Sequence, residues 1–266
     1  MRCLFVVGAV LMTGLWASPA GAWTDATRRR MVDDAIKMSP PALATVLERY
    51  RADLLHGMID PLGGESGEDH RQHVSGGYGR AAGKIEWHSQ QAMTIIGQPG
   101  RLRLAIYALG TAAHYVADVN FPLNCGAGPV GDPPFYGDYA RYTEKMMGRF
   151  PVVLDREPAP ALAKNRLEEF GKAAALRASR YVAPIQAAYT PDGKPKSAAA
   201  FDEKSLPFGV ASLSYSQAVN DIARLWAHVW QRAGGDVQGA PFPGDVPSKA
   251  RPSKKAAKSK KDGNSR

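Results

Sequence analysis

Apolar residues recur at helical spacing along most of this chain, and no alternating strand pattern of useful length interrupts them. The clearest helical patterns cover residues 25–38, 80–96 and 206–232. Weaker ones cover 39–56 and 135–150. The chain shows no internal repeat, so the pattern predicts an all-α protein built as a single multi-helix domain.

Two of these predictions rest on particular residues. Ser39 precedes two prolines and is expected to cap the second helix, since serine favours the N-cap and proline the first turn. Residues 158–188 read as one long helical stretch that Pro184 breaks. A glycine-rich loop at 62–79 and a Gly/Pro-rich loop before residue 135 separate the helices.

The central segment, 109–124, combines a small apolar helix with two chemically active side chains. His114 and Asp118 are four residues apart, so they leave the helix from one face, offset by about 40°. An imidazole and a carboxylate on one face suit a zinc site. They also suit a buried histidine that is held by its i+4 carboxylate, and spacing alone does not exclude this interpretation.

The N-terminal residues 1–22 have the pattern of a secretory signal peptide. Arg2 precedes an apolar run at 4–16, and Ala20-Gly21-Ala22 forms a small-x-small cleavage site. The run is short for a membrane span, so no transmembrane anchor is expected. The pattern predicts a periplasmic or secreted protein whose mature chain begins at Trp23 and whose folded domain covers 23–240.

The strong positive charge belongs to the C-terminal end. Residues 249–266 hold eight basic residues and one acidic residue, which is +7 of the +9 of the whole chain. Arg2 carries another positive charge, so the domain itself is nearly neutral. Because residues 241–266 lack a core-forming pattern, we expect a disordered basic tail that can contact anionic surfaces by charge alone.

The central motif resembles that of a known family. His114-Tyr115-Val116-Ala117-Asp118-Val119-Asn120, followed by Pro122, is similar to the zinc-dependent phospholipase C family, whose fold is shared with the single-strand-specific zinc nucleases. The resemblance implies a mostly helical domain, a zinc cluster and hydrolysis of a phospholipid or another phosphodiester. Asn120 resembles the phospholipase branch, because the nucleases more often carry histidine there.

The resemblance also implies a set of metal ligands. Asp60, His70, His114 and Asp118 are expected to converge on one zinc ion, and Asp60 is also the expected catalytic base. If Trp23 also reaches Asp118, it would bind a second ion there through its free amine and its carbonyl oxygen, although Arg28 replaces that ion's histidine ligand and its fixed charge would oppose a cation nearby.

Other residues compete for these roles. His73 and His56 are alternatives to His70 as the loop ligand. Cys125 is either a quiet buried thiol or an accidental ligand.

Four positions depart from the family pattern. Arg28 stands where the family has a ligand histidine, while Asn124, Tyr136 and Ala140 replace a histidine, a histidine and a glutamate. The arginine run 28–30 is therefore either a solvated surface or a phosphate-binding cluster. The sequence leaves open a zinc hydrolase with a reduced cluster, a nuclease-like hydrolase, and a non-catalytic relative that binds a ligand or is structural.

Overall fold

The structure, a computed structural model, describes residues 22–63, 65–75, 77–126, 132–194 and 196–242. These residues form helices and connecting loops, and the described part of the chain contains no strand. The helices are α1 Asp25–Lys37, α2 Pro41–Arg49, α3 Arg51–Ile59, α4 Ala81–Ile95, α5 Leu102–Val119, α6 Tyr136–Met146, α7 Pro160–Ala163, α8 Leu167–Ser179, α9 Val182–Tyr189 and α10 Leu206–Arg232. The predicted all-α fold is confirmed.

Helix α5 lies at the centre of the fold. Every residue from Ala108 to Val119 is buried, as expected for a helix that is apolar around its circumference. It packs mainly against α3 and α4, and α10 lies beside it. Because α5 carries His114 and Asp118, both side chains begin inside the core and not at the surface.

Two tryptophans fix α5 to the rest of the core through its backbone. The Trp226 indole on α10 donates to the Leu109 carbonyl at 3.0 Å. The Trp23 indole, just before α1, donates to the Ala117 carbonyl at 2.8 Å. Both side chains are fully buried, so each hydrogen bond satisfies a polar group that would otherwise be costly inside the protein.

Glycines allow α3 and α5 to approach each other closely. A Cβ atom built on Gly57 would lie 2.0 Å from the Tyr107 carbonyl oxygen, and one built on Gly110 would lie 2.1 Å from the Leu54 carbonyl oxygen. The backbones therefore touch directly. This contact brings the C-terminal end of α3 next to His114.

Several local predictions were wrong. Ser39 does not cap α2; its hydroxyl donates to the Ala35 carbonyl at 2.9 Å and closes the end of α1. The predicted second helix is split at Tyr50 into α2 and α3. The stretch 158–188 breaks at 164–166 and at 180–181. Pro184 lies in the first turn of α9, where its missing N–H costs nothing.

The predicted signal peptide and basic tail lie outside the described residues, apart from their innermost positions. Ala22 is buried, and so is Phe242, whose ring lies 4.9 Å from the Arg224 guanidinium. Among the described helices, none combines the length and apolar character that crossing a membrane requires.

Candidate metal centre

Three ligand atoms from α5 and the 65–80 loop meet in one small group. His70 Nδ1 lies 2.9 Å from Asp118 Oδ2 and 3.0 Å from His114 Nε2, and His114 Nε2 lies 3.2 Å from Asp118 Oδ2. His114 and Asp118 are fully buried, while the His70 side chain is 17% exposed. The three atoms form a nearly equilateral triangle that reaches solvent on the His70 side.

The ring of His114 is held in one orientation from behind. Its Nδ1 donates to the Met58 carbonyl at 2.8 Å, which leaves Nε2 as the unprotonated atom of a neutral ring facing the group. The pKa of His114 is lowered, first by burial and then by the nearby Arg28 guanidinium. A neutral imidazole whose second nitrogen binds a backbone carbonyl is the usual form of a metal-binding histidine.

Asp118 directs one oxygen to an arginine and the other to the two histidines. Arg28 donates to Oδ1 at 2.6 Å, and Oδ2 faces the two histidines. Burial alone would raise the pKa of Asp118, but Arg28 and His114 hold it well below its ordinary value. The carboxylate is therefore charged, as a metal ligand must be.

Asn124 anchors the loop that carries His70. Its side-chain amide donates to the backbone carbonyls of His70 at 2.9 Å and of Asp118 at 3.3 Å. The backbone carbonyl of Asn124 accepts a hydrogen bond from the Gln72 backbone N–H at 3.1 Å. The residue that replaces a family histidine thus ties loop and helix together.

Burial lowers the pKa of His70, but the Asp118 carboxylate raises it by more, so the net shift of the His70 pKa is upward.

Two predicted ligands lie outside the triangle. Asp60 follows α3 and has an exposed side chain. The pKa of the neighbouring Tyr107 is raised, first by the burial of Tyr107 and then by the charge of Asp60. The carbonyl of Trp23 accepts a hydrogen bond from Arg28 Nε at 3.1 Å. The structure brings together three of the five predicted ligands, and the roles of Asp60 and Trp23 stay predictions.

The alternative ligands also lie elsewhere. His56 is exposed on α3, and His73 is buried with its ring against Tyr78. Cys125 is buried and donates to the Val119 carbonyl at 3.2 Å; burial raises the pKa of its thiol. None of them belongs to the group that His70, His114 and Asp118 form.

Two of the replaced family positions, Asn124 and Tyr136, are joined by a hydrogen bond. The buried Tyr136 hydroxyl donates to the Asn124 side-chain oxygen at 2.6 Å, and the buried Ala140 lies one turn further along α6. Burial raises the pKa of Tyr136, so the hydroxyl stays neutral. A neutral hydrogen bond therefore stands where the resemblance implies a histidine–histidine–glutamate zinc site, and these residues do not fit a metal ion.

The triangle fits one zinc ion. Tetrahedral ligand atoms about 2.0–2.1 Å from zinc are roughly 3.3 Å apart, so the three atoms need to separate by only a few tenths of an ångström. Two imidazole nitrogens and one carboxylate oxygen are borderline donors that suit zinc. Three protein ligands leave the fourth position open, which is the pattern of catalytic zinc sites.

The sequence predicted that the charge of Arg28 would oppose a second cation beside Asp118, but it did not predict that the Arg28 side chain is fully buried. Both interpretations of the arginine run, solvated surface and phosphate-binding cluster, are wrong for this residue, because its side chain is fully buried. The resemblance could have predicted this burial, because it implies a metal-binding histidine at position 28 and such a side chain faces the core. The contact of the Tyr115 hydroxyl with Glu65, which is also bound by Lys84 at 3.0 Å, was missed as well.

Comparison with known proteins shows the fold. The sequence matches no protein-family model and no curated protein. Among solved structures, the alpha-toxin of an avian Clostridium perfringens strain shares 13% sequence identity with a TM-score of 0.60, and the match covers 83% of this chain and 67% of the toxin. The alpha-toxin of Clostridium absonum shares 16% identity with a TM-score of 0.60, over 80% of this chain and 67% of the toxin.

These likenesses extend over most of the chain. At such low identity they establish the shared fold and leave the chemistry to be argued from the residues. The chain has the fold of the clostridial alpha-toxins, and the predicted resemblance to the zinc-dependent phospholipase C family is confirmed at the level of the fold.

Proposed function

We propose that this chain is an exported zinc-dependent phosphodiester hydrolase with a reduced metal cluster, acting on a phospholipid or a related phosphodiester. The observation that carries the proposal is the triangle of His70 Nδ1, His114 Nε2 and Asp118 Oδ2. It is supported by the fold, which this chain shares with the clostridial alpha-toxins, and by the resemblance of the central motif to the zinc-dependent phospholipase C family.

The residues of the chain have separate tasks in this proposal. His70, His114 and Asp118 would hold the zinc ion, and the Met58 carbonyl and Asn124 keep them oriented. Zinc in such a site polarises a phosphoryl oxygen and lowers the pKa of a water molecule. Asp60, exposed at the end of α3, is the candidate to accept a proton from the attacking water.

A first experiment measures zinc. Purified protein is expected to contain one tightly bound zinc ion per chain by elemental analysis, and His114→Ala is expected to abolish it. His70→Ala, at the solvent-exposed corner, gives a second test should His114→Ala not fold. The matched control is His56→Ala, an exposed histidine outside the triangle, which should keep the zinc.

A second experiment measures hydrolysis. Zinc-loaded protein is incubated with phosphatidylcholine vesicles, with bis(p-nitrophenyl) phosphate and with single-stranded DNA, each with and without a chelator. Chelator-sensitive release of phosphocholine is the expected result. Preferential cleavage of the DNA would favour the nuclease-like alternative instead.

The second candidate function is a non-catalytic relative of the hydrolases. Two observations favour it: the Asn124–Tyr136 hydrogen bond and the Arg28–Asp118 ion pair occupy places where the resemblance implies metal. Protein that binds one zinc ion and hydrolyses none of the three substrates would support this candidate and contradict the first.

A further inference from the structure

Arg28 is an ionised side chain enclosed entirely by protein. It lies in the first turns of α1 with no exposed surface, and all three of its nitrogen groups donate hydrogen bonds. Nε donates to the Trp23 carbonyl at 3.1 Å, Nη1 to the His114 carbonyl at 3.2 Å and Nη2 to Asp118 Oδ1 at 2.6 Å. A buried charge is tolerated only with such compensation.

The partners of Arg28 are the atoms that a cation would take. Two carbonyl oxygens and one carboxylate oxygen surround the guanidinium. Two of the three, the Trp23 carbonyl and Asp118, are the groups that the resemblance assigns to a second zinc ion, and Arg28 itself stands at that ion's histidine position. The guanidinium fills this space and is always charged. A divalent ion there would therefore clash with it and be repelled by its positive charge.

We propose that Arg28 is a built-in cation that takes the place of the second metal ion. The centre then binds one zinc ion, at the triangle, and the amino group of Trp23 has no part in metal binding. Arg28 satisfies Asp118 Oδ1 permanently, and Oδ2 remains free for the single ion. This inference rests on the metal site of the proposed function and specifies its composition.

The first test counts zinc ions in the unmodified chain. Calorimetric titration and elemental analysis are run on protein that begins at Trp23 and on protein extended by a few residues before Trp23. One equivalent in both forms is expected. Two tight equivalents, one of them lost on extension, would overturn the inference while leaving the hydrolase proposal intact. Zero equivalents in both would overturn the metal site on which both depend.

The second test exchanges the cation. In protein that begins at Trp23, Arg28→His removes the fixed charge and supplies an imidazole, so the zinc content is expected to rise from one to two equivalents. Arg28→Lys keeps the charge and should stay at one. A folded Arg28→His protein, checked by circular dichroism, that still binds only one equivalent would contradict the inference.

A matched control tests whether replacing another arginine that pairs with a buried aspartate also changes the zinc content. Arg177 pairs with Asp221 at 2.5 Å and also contacts Asn120, and neither partner belongs to the triangle. Arg177→His should lower stability and leave the zinc content at one. If Arg177→His also gained a zinc ion, the extra ion would not depend on removing Arg28 in particular, and the inference would be overturned.

Discussion

At the scale of single residues, three of the four lost family ligands have been replaced by side chains that form hydrogen bonds with their neighbours. Tyr136 donates to Asn124, whose amide in turn holds the His70 loop. A buried polar group left without a partner costs about 1–3 kcal/mol, so substitutions that erase a metal site persist only when they come as compatible sets. Asn124 and Tyr136 are such a set.

Tyr136→Phe tests this pairing. The substitution keeps the ring and removes the hydroxyl, so the Asn124 oxygen loses its 2.6 Å hydrogen bond inside the core. We expect the free energy of unfolding to fall by about 1–3 kcal/mol, measured by urea denaturation. Zinc binding should persist, because the triangle is untouched.

Tyr142→Phe is the control for Tyr136→Phe. Tyr142 is also buried, but its hydroxyl lies at a long distance of 3.4 Å from the Asp202 carbonyl, and its other partner is the hydroxyl of the half-buried Ser205. Its loss should cost clearly less. Equal losses of unfolding free energy in both variants would mean that the hydrogen bond to Asn124 adds no stability beyond that of an ordinary buried hydroxyl.

The residues of the triangle differ in how far the sequence could predict them. His114 and Asp118 share one helix face, so their spacing alone places them together. His70 was found only through the family resemblance. The pairing of Arg28 with Asp118 joins positions 90 residues apart, and no local pattern encodes it.

At the scale of helices, local periodicity was a good guide except where tertiary packing intervenes. The predicted 206–232 helix is α10 with the same bounds, since its apolar stripe and its start at Leu206-Pro207 are local signals. The break at Tyr50 carries no glycine or proline, and the sequence therefore gave no reason to expect it. Pro184 was taken as a breaker because a proline tolerated in a first turn looks the same in sequence.

Gly110→Ala tests the contact between α3 and α5. The added Cβ would lie 2.1 Å from the Leu54 carbonyl oxygen, which is backbone and cannot rotate away. The helices must separate, so we expect a loss of about 1–3 kcal/mol or more in the free energy of unfolding. Zinc affinity should fall too, because the Met58 carbonyl on α3 orients His114.

Gly83→Ala is the matched control on a neighbouring helix. Gly83 lies on the exposed face of α4, and a Cβ built there would meet no atom within 4 Å. Alanine is the better helix former, so this variant should gain about 0.5–1 kcal/mol. If Gly110→Ala behaved like Gly83→Ala in thermal melting, the close approach of α3 and α5 would be refuted.

At the scale of the whole molecule, the core and the metal site have separate requirements. The alpha-toxin fold persists here at 13–16% identity although four implied ligand positions are replaced. The described part of this chain builds its core from buried apolar and aromatic side chains around α5. Fold and site can therefore diverge independently, which is why the fold could be predicted from the sequence and the metal count could not.

Buried neutral histidines connect the stability of the whole molecule to pH. Burial, and to a lesser degree Arg232, lowers the pKa of His228 to about 4 from its ordinary value of 6.5. Its Nε2 donates to the Asn165 side-chain oxygen at 2.8 Å, and Nδ1 has no hydrogen-bond partner within the described residues. A proton on Nδ1 would be buried without an acceptor, so the folded protein resists protonation there.

The sign of the effect follows from proton uptake. Between pH 6.5 and about 4 the unfolded chain binds a proton at His228 that the folded chain does not, so the free energy of unfolding decreases as pH falls, by up to ~1.4 kcal/mol per pH unit. His228→Gln keeps a donor for Asn165 and removes the titration. Urea denaturation from pH 7.5 to 4.5 should therefore give a shallower decline for His228→Gln than for the unsubstituted protein, and the difference between the two curves cancels the other titrating groups. Parallel curves would contradict the assignment of this proton uptake to His228.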